Sequence, residues 1–105
     1  MGTTFASSAY VIHYHDDEGK FQKMGISLHA ERQYTKRFAL MHNKHSDPPN
    51  ALRSIRRMFL KYRHRTIDFG THMYIPCAEF GLYVRNGIIM TVVIRRNKFA
   101  HLNAA

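Results

Sequence analysis

The chain has 105 residues and a formal net charge of +9 at pH 7, from 16 lysines and arginines against seven acidic residues. Its length fits one domain, residues 1–105, and a hydrophobic content of 45% is enough for a core and argues against general disorder. The first residues predict no signal peptide, and the chain has no run of ~18 apolar residues for a membrane span and one cysteine, so we expect a cytoplasmic protein without membrane attachment.

An N-terminal β-hairpin is predicted by residues 9–15 and 20–26. The first of these segments alternates between apolar and polar side chains, which is typical of a strand with one buried face. Residues 16–19, Asp-Asp-Glu-Gly, form a polar stretch ending in glycine, which favours a turn. The second segment can return as the partner strand.

Two amphipathic helices are predicted next. The first covers residues 27–42, where Ser27 can cap the N-terminus and Glu31 suits the helix dipole. Its expected buried stripe is Ala30, Tyr34, Phe38 and Met41. The second covers residues 49–62, after a break that contains two prolines. Its apolar stripe is Ala51, Leu52, Ile55, Met58, Phe59 and Tyr62, and its opposite face carries Arg53, Arg56, Arg57 and Lys61.

The remaining chain predicts three strands, over residues 66–75, 79–85 and 88–96. The expected core-facing side chains are Ile67, Phe69, Met73 and Ile75, then Phe80, Leu82 and Val84, then Ile88, Met90, Val92 and Ile94. The dipeptide Asn86-Gly87 predicts a tight hairpin turn between the last two strands. The order β(β)-α-α-β-β-β favours an α+β domain, with two helices packed on one face of a mainly antiparallel sheet.

The basic composition indicates a polyanionic partner, and nucleic acid is the first candidate. A lipid surface is less suited, because tryptophan is absent and the cations are spread over several elements. On the first helix, helical spacing places a histidine and several cations on one polar face: His29, Arg32, Gln33, Lys36 and Arg37. Such a face also arises without any function in a basic protein, and the pattern by itself favours a solvated surface.

The order of elements resembles the small ribonuclease toxins of the RelE and barnase/colicin-like groups. The first helix is similar to one in related toxin-like domains of unknown function, where His-Ala opens the helix and arginines follow one and two turns later. This chain has His29-Ala30 and then Arg37, but Gln33 stands at the one-turn position and the arginine is at Arg32. The resemblance covers most of the chain in topology and about a dozen residues in motif.

The resemblance implies a metal-independent endoribonuclease without a cofactor, in which RNA lies across the sheet. Such cleavage requires a base, a cation that stabilises the phosphate, and an acid for the leaving oxygen. It implies His29 as base or acid, Arg37 or Arg85 on the phosphate, and Tyr83 as a stacking or proton-transfer group. Opposite the core-facing set we expect Tyr83, Arg85, Thr91 and Arg95, with His72 and Tyr74 nearby. The candidate catalytic set is His29, Arg32, Arg37, Tyr83, Arg85, Thr91 and Arg95.

Two other functions remain open. The chain could bind DNA or RNA without cleaving it, as a small phage or plasmid protein, or it could inhibit a nucleic-acid-processing host enzyme by occupying its site. The expected phosphate contacts are Lys36, Arg53, Arg56, Arg57, Lys61, Arg96 and Lys98. A toxin would normally have an acidic antitoxin or immunity protein as its partner. The eight histidines lack zinc-type spacing, so we expect no metal site.

Overall fold

The computed structural model describes residues 8–42, 50–95 and 103. The strands are β1 Ser8–His15, β2 Phe21–Ser27, β3 Ile67–Asp68, β4 Met73–Cys77, β5 Phe80–Arg85 and β6 Ile88–Ile94. The helices are α1 Leu28–His42 and α2 Ala51–Tyr62, and a short 3₁₀ helix at Arg63–Arg65 follows α2.

The strands form one sheet in the order β1-β2-β6-β5-β4-β3. All neighbouring strands are antiparallel except β2 and β6, which are parallel. Both helices contribute to the same hydrophobic core as the sheet, with Ala30 and Tyr34 from α1 and Ile55 and Phe59 from α2. The predicted α+β architecture is therefore confirmed, with one more strand than the sequence indicated.

The predicted N-terminal hairpin and both helices are present. Ser27 caps α1, because its Oγ accepts a hydrogen bond of 2.9 Å from the Ala30 N–H. Asn50 caps α2 in the same way, through a 2.9 Å bond from the Arg53 N–H to its Oδ1. The predicted start of the second helix at residue 49 lies outside the described residues.

The prediction of one strand over residues 66–75 is wrong, because this segment contains a turn. β3 and β4 pair with each other, and Gly70 between them has a φ of +89°, which favours glycine. The Asp68 carboxylate accepts a 2.8 Å bond from the Gly70 N–H, which closes the turn. Of the four side chains expected to face the core, only Ile75 is buried. The other three are exposed: Ile67, Phe69 and Met73.

The last hairpin confirms the turn at Asn86 and Gly87, whose φ values of +53° and +75° match a turn with two left-handed residues. The pairing of β5 with β6 shifts by one residue beyond this turn, since Val84 faces Ile89 and Tyr83 faces Thr91. The extra residue is Met90, a β-bulge that reverses the alternation. Met90 was expected in the core and is 41% exposed, and Ile89 is buried in its place.

The assignment of Arg37 to the exposed polar face of α1 is also wrong, since Arg37 is only 8% exposed. The cause is the short pairing of β2 with β6, which covers only Gly25–Ile88 and Ile26–Ile89. Beyond these two pairs, side chains donate hydrogen bonds to the backbone carbonyls at the edge of β6. Ser27 Oγ donates to the Met90 carbonyl at 3.0 Å, and the Arg37 guanidinium donates to the Val92 carbonyl.

Asn103 completes this edge by pairing with Ile94. Its Oδ1 accepts from the Ile94 N–H at 2.8 Å, and its Nδ2 donates to the Ile94 carbonyl at 2.9 Å. The Asn103 carbonyl also accepts a 2.9 Å bond from Arg37 Nη2. Burial lowers the pKa of Arg37, but a guanidinium stays charged at neutral pH. Arg37 therefore joins α1, β6 and Asn103.

We expect Arg37→Met to lower the free energy of unfolding by about 2–4 kcal/mol, because it removes two charge-assisted bonds and leaves the Val92 carbonyl without its donor. The loss of stability is limited because the substitution also removes the buried Arg37 Nε, which has no hydrogen-bond partner among the described residues. Arg32→Met is the matched control, since Arg32 is exposed on the same helix and its loss should change stability by less than about 0.5 kcal/mol. Urea denaturation measures both. Equal stability of the two variants would contradict the structural role of Arg37.

Candidate nucleic-acid interface

The side of the sheet opposite the helices, called the open face below, carries a row of aromatic rings. Alternation along β5 sends Leu82 and Val84 to the core and Tyr83 to the open face, where it pairs with Tyr74 and Thr91. The ring centroids are 5.2 Å apart for Phe69 and His72, 5.6 Å for His72 and Tyr83, and 4.9 Å for Tyr74 and Tyr83. We call these four residues, Phe69, His72, Tyr74 and Tyr83, the aromatic row.

Tyr74 packs closely over the backbone of Gly81. A Cβ atom at Gly81 would lie 2.2 Å from the Tyr74 hydroxyl and 2.5 Å from its Cε1, so only glycine leaves room for the ring. Burial raises the pKa of Tyr74, and the nearby guanidinium of Arg95 opposes this. The Tyr74 phenol is therefore protonated at neutral pH and can donate a hydrogen bond.

Two cationic side chains flank the aromatic row. Arg85 is exposed at the end of β5, and its strand partner Ile88 is followed by the bulge of β6. Arg95 lies just after β6, where its backbone N–H donates to the Glu79 carbonyl at 2.8 Å and its Nη1 donates to the Ala78 carbonyl at 3.0 Å. These contacts hold Arg95 near Tyr74, so the row has a cation toward each end.

Acidic side chains are excluded from five of the six strands. β1, β2, β4, β5 and β6 contain neither aspartate nor glutamate. The described acidic residues lie in turns, in α1 or on the edge strand β3: Asp16, Asp17, Glu18, Glu31, Asp68 and Glu79. The open face therefore presents aromatic and cationic groups without the carboxylates that would repel a phosphate.

The structure divides the candidate catalytic residues into three groups. Tyr83, Arg85 and Thr91 lie on the open face, with Arg95 at its border. His29 and Arg32 are exposed on α1, in the helix layer, and no contact among the described residues joins either of them to the aromatic row. Arg37 is buried and engaged with backbone carbonyls. The helix motif and the sheet residues therefore do not form one site.

The predicted phosphate-binding residues of α2 lie on a different surface. Arg53, Arg56, Arg57 and Lys61 are all exposed on the side of α2 that faces away from the core, and Lys36 is exposed on α1. A helix of 12 residues with these cations and no acidic residue can contact phosphates. Beside it, Tyr10 is 43% exposed and lines a surface cavity together with Arg53 and Arg56. Arg96 and Lys98 lie outside the described residues.

Two other kinds of chemistry lack the groups they need in the described part of the chain. Within residues 8–42, 50–95 and 103, no three histidine, cysteine or acidic side chains are grouped as metal ligands. Cys77 is fully buried, and burial raises the pKa of its thiol to about 12, so it is not a thiolate at neutral pH.

No helix within residues 8–42, 50–95 and 103 combines the length and apolarity needed to cross a bilayer.

Phe69 was missed as a site residue by the sequence analysis, which placed it in the core. It is 57% exposed because the turn at Gly70 interrupts the predicted strand. The Asp-x-Gly spacing of Asp68 and Gly70 is the signal that could have revealed this turn.

The resulting class is an α+β domain with two helices on one face of its sheet and a basic, aromatic open face. Comparisons of the chain with protein-family models, with curated proteins and with solved structures found no match. The function must therefore be argued from the site.

We expect Gly81→Ala to displace the Tyr74 ring from the open face and to lower the free energy of unfolding by about 1–3 kcal/mol, as for other overpacked sites. Urea denaturation of a double-mutant cycle with Tyr74→Ala is the measurement. In the Tyr74→Ala background the same substitution should cost clearly less, because the clashing ring is gone. Identical costs in both backgrounds would show that Tyr74 does not occupy this position.

Proposed function

We propose that this protein binds single-stranded RNA on the open face of its sheet. The observation that carries the proposal is the aromatic row, whose rings are exposed or half-buried and whose neighbouring centroids lie 4.9–5.6 Å apart. Unpaired bases stack on such rings, and nearby arginines contact the backbone. The net charge of +9 supplies long-range attraction for a polyanion.

A single strand fits this surface better than a duplex does. In a duplex the faces of the bases are covered by their neighbours, so exposed protein rings have nothing to stack on. Arg85 and Arg95 are spaced on either side of the row, where they can contact different phosphates of a strand that crosses the sheet.

The cations of α2 support a different mode of binding. Arg53, Arg56, Arg57 and Lys61 would contact the phosphates of any nucleic acid, or the carboxylates of an acidic partner protein. This mode suits the alternatives in which the chain is a non-specific binder or an inhibitor of a nucleic-acid-processing enzyme. Substitutions on the open face and on α2 separate the two modes.

We expect Tyr83→Ala to weaken binding of a labelled single-stranded RNA decamer about tenfold, because one stacking ring contributes about 1–3 kcal/mol. Arg85→Ala should weaken binding less and reduce the salt dependence by about one phosphate contact. Arg32→Ala removes the same charge from α1 and is the control that should leave affinity nearly unchanged. Fluorescence anisotropy at two salt concentrations measures all three. Unchanged affinity of Tyr83→Ala, with large losses in Arg53→Ala and Arg56→Ala, would place the interface on α2 instead.

A second candidate function, metal-independent cleavage of the bound RNA, is favoured by the position of His72. Its ring lies between Phe69 and Tyr83, and its Nδ1 is 3.0 Å from the Thr71 hydroxyl. Imidazole is the side chain best suited to proton transfer near neutral pH. A strand whose bases stack on the aromatic row would bring a ribose close to this ring.

The cleavage we propose is an internal transesterification. His72 takes the proton of the ribose 2′-hydroxyl, and the 2′-oxygen attacks the adjacent phosphorus. The bond from phosphorus to the 5′-oxygen breaks, leaving a 2′,3′-cyclic phosphate and a 5′-hydroxyl. Tyr74, which is protonated at neutral pH, can supply the proton for that oxygen, and Arg85 can stabilise the charge on the phosphate.

We expect the wild-type protein to cleave labelled RNA at pH 7 with a chelator present, and His72→Ala to lose this cleavage at RNA concentrations that saturate its binding, which is weakened by the loss of one stacking ring. His29→Ala is the matched control, since it removes an exposed histidine from the helix layer and should cleave as the wild type does. Gel analysis of the products measures cleavage, and anisotropy measures binding. Loss of cleavage in His29→Ala, with His72→Ala active, would move the site to α1. Binding without any cleavage would leave a purely binding domain.

A further inference from the structure

We infer that the open face carries a second base-stacking site for the same RNA strand, formed by Phe21 with His13 and His15 at the end of the β1–β2 hairpin. The rings of His13 and Phe21 are stacked, with centroids 5.4 Å apart and an angle of 14° between their planes. His15 meets Phe21 edge-on at 5.7 Å. This second stacking site rests on the proposed RNA-binding function and extends it across the sheet.

The alternation of β1 and β2 places these rings on the open face. Ile12 is fully buried in the core, so His13, the next residue, points to the opposite side of the sheet. His13 pairs with Lys23 and His15 pairs with Phe21, so all four side chains share this side. Phe21 is 57% exposed, and its outer ring face is therefore accessible to a base.

The carboxylates of the turn between β1 and β2 have partners that lie away from the stacked rings. Asp16 accepts a 3.0 Å bond from the Gln22 amide, and Gln22 pairs with Tyr14 on the helix side. Asp17 is 3.4 Å from the Arg63 guanidinium, which itself stacks over the Tyr14 ring on that same side.

The third acidic residue of this turn, Glu18, is 3.6 Å from the Lys20 ammonium at the exposed tip. Each negative charge of the turn thus has a cationic or hydrogen-bonded partner. Lys23 stays on the open face beside Phe21 and His13, so the second stacking site keeps a cation for a phosphate.

Arg85 lies between the second stacking site and the aromatic row. Strand pairing connects Arg85 to Ile88 and Ile88 to Gly25, two residues from Lys23. With strands about 4.8 Å apart and about 3.3 Å per residue, His72 and Phe21 are separated by roughly 20 Å. Stacked nucleotides advance about 3.4 Å each, so a decamer can reach both sites and a trinucleotide can occupy only one.

The test compares Phe21→Ala, Phe21→Tyr and Tyr83→Ala for binding to a single-stranded RNA decamer and a trinucleotide. We expect Phe21→Ala to weaken decamer binding about fivefold or more and trinucleotide binding less than twofold, because only the longer strand uses both sites. Phe21→Tyr keeps the ring and should restore decamer affinity. Tyr83→Ala should weaken binding of both RNAs. Circular dichroism verifies that the exposed substitution leaves the fold intact.

The outcomes separate the second stacking site from the proposed function. If Phe21→Ala binds the decamer as tightly as the wild type while Tyr83→Ala binds it weakly, the second site is overturned and RNA binding stands. A loss in Phe21→Ala that Phe21→Tyr does not restore overturns stacking as the role of this residue. If the wild-type protein binds neither RNA, the proposed function and the second site fail together.

Discussion

The hydrogen bonds of Arg37 are the interaction on which the rest of the structure depends. β6 lies near the centre of the sheet, but its parallel neighbour β2 leaves after two paired residues and turns into α1. Backbone carbonyls of a central strand must be paired or they destabilise the fold. Ser27, Arg37 and Asn103 supply the missing donors, so α1 and Asn103 cover the edge that β2 leaves. The helix is thereby fixed on one side of the sheet.

Both helices contribute to the core on that side, so neither of the two described helices covers the opposite side of the sheet. Rings and cations occupy it, and the described acidic residues lie in turns, in α1 and on the edge strand β3. Turn geometry, as well as strand alternation, determines which side chains lie on this side of the sheet. Gly70 turns Phe69 outward, and the Asp16 and Asp17 carboxylates are held toward the helix side. The positive charge of α2 lies on another surface, and a partner bound there would leave the open face accessible.

Local signals in the sequence were sufficient for much of this fold. The Ser27 cap, the apolar stripe of α2, the turn at Asn86-Gly87 and the outward position of Tyr83 each depend on neighbouring residues only. Three features were not predicted from the sequence, and the first two of them depend on tertiary pairing. A helical wheel places Arg37 among polar residues, but the carbonyl that binds it exists only because β2 and β6 are parallel and diverge. The bulge at Met90 shifts one strand by a residue. Proximity of Phe69 to His72 requires a turn inside an apparently continuous strand.

A titration of ¹⁵N-labelled protein with a single-stranded RNA decamer, followed by amide NMR shifts, distinguishes the open face from α2 as the RNA-binding surface. We expect the largest shifts on β4, β5 and the turn that holds Phe69 and His72, with smaller shifts near Phe21 and little change on the outer face of α2. Shifts confined to the segment containing Arg53, Arg56 and Arg57 would contradict binding on the open face. So would a spectrum that RNA leaves unchanged.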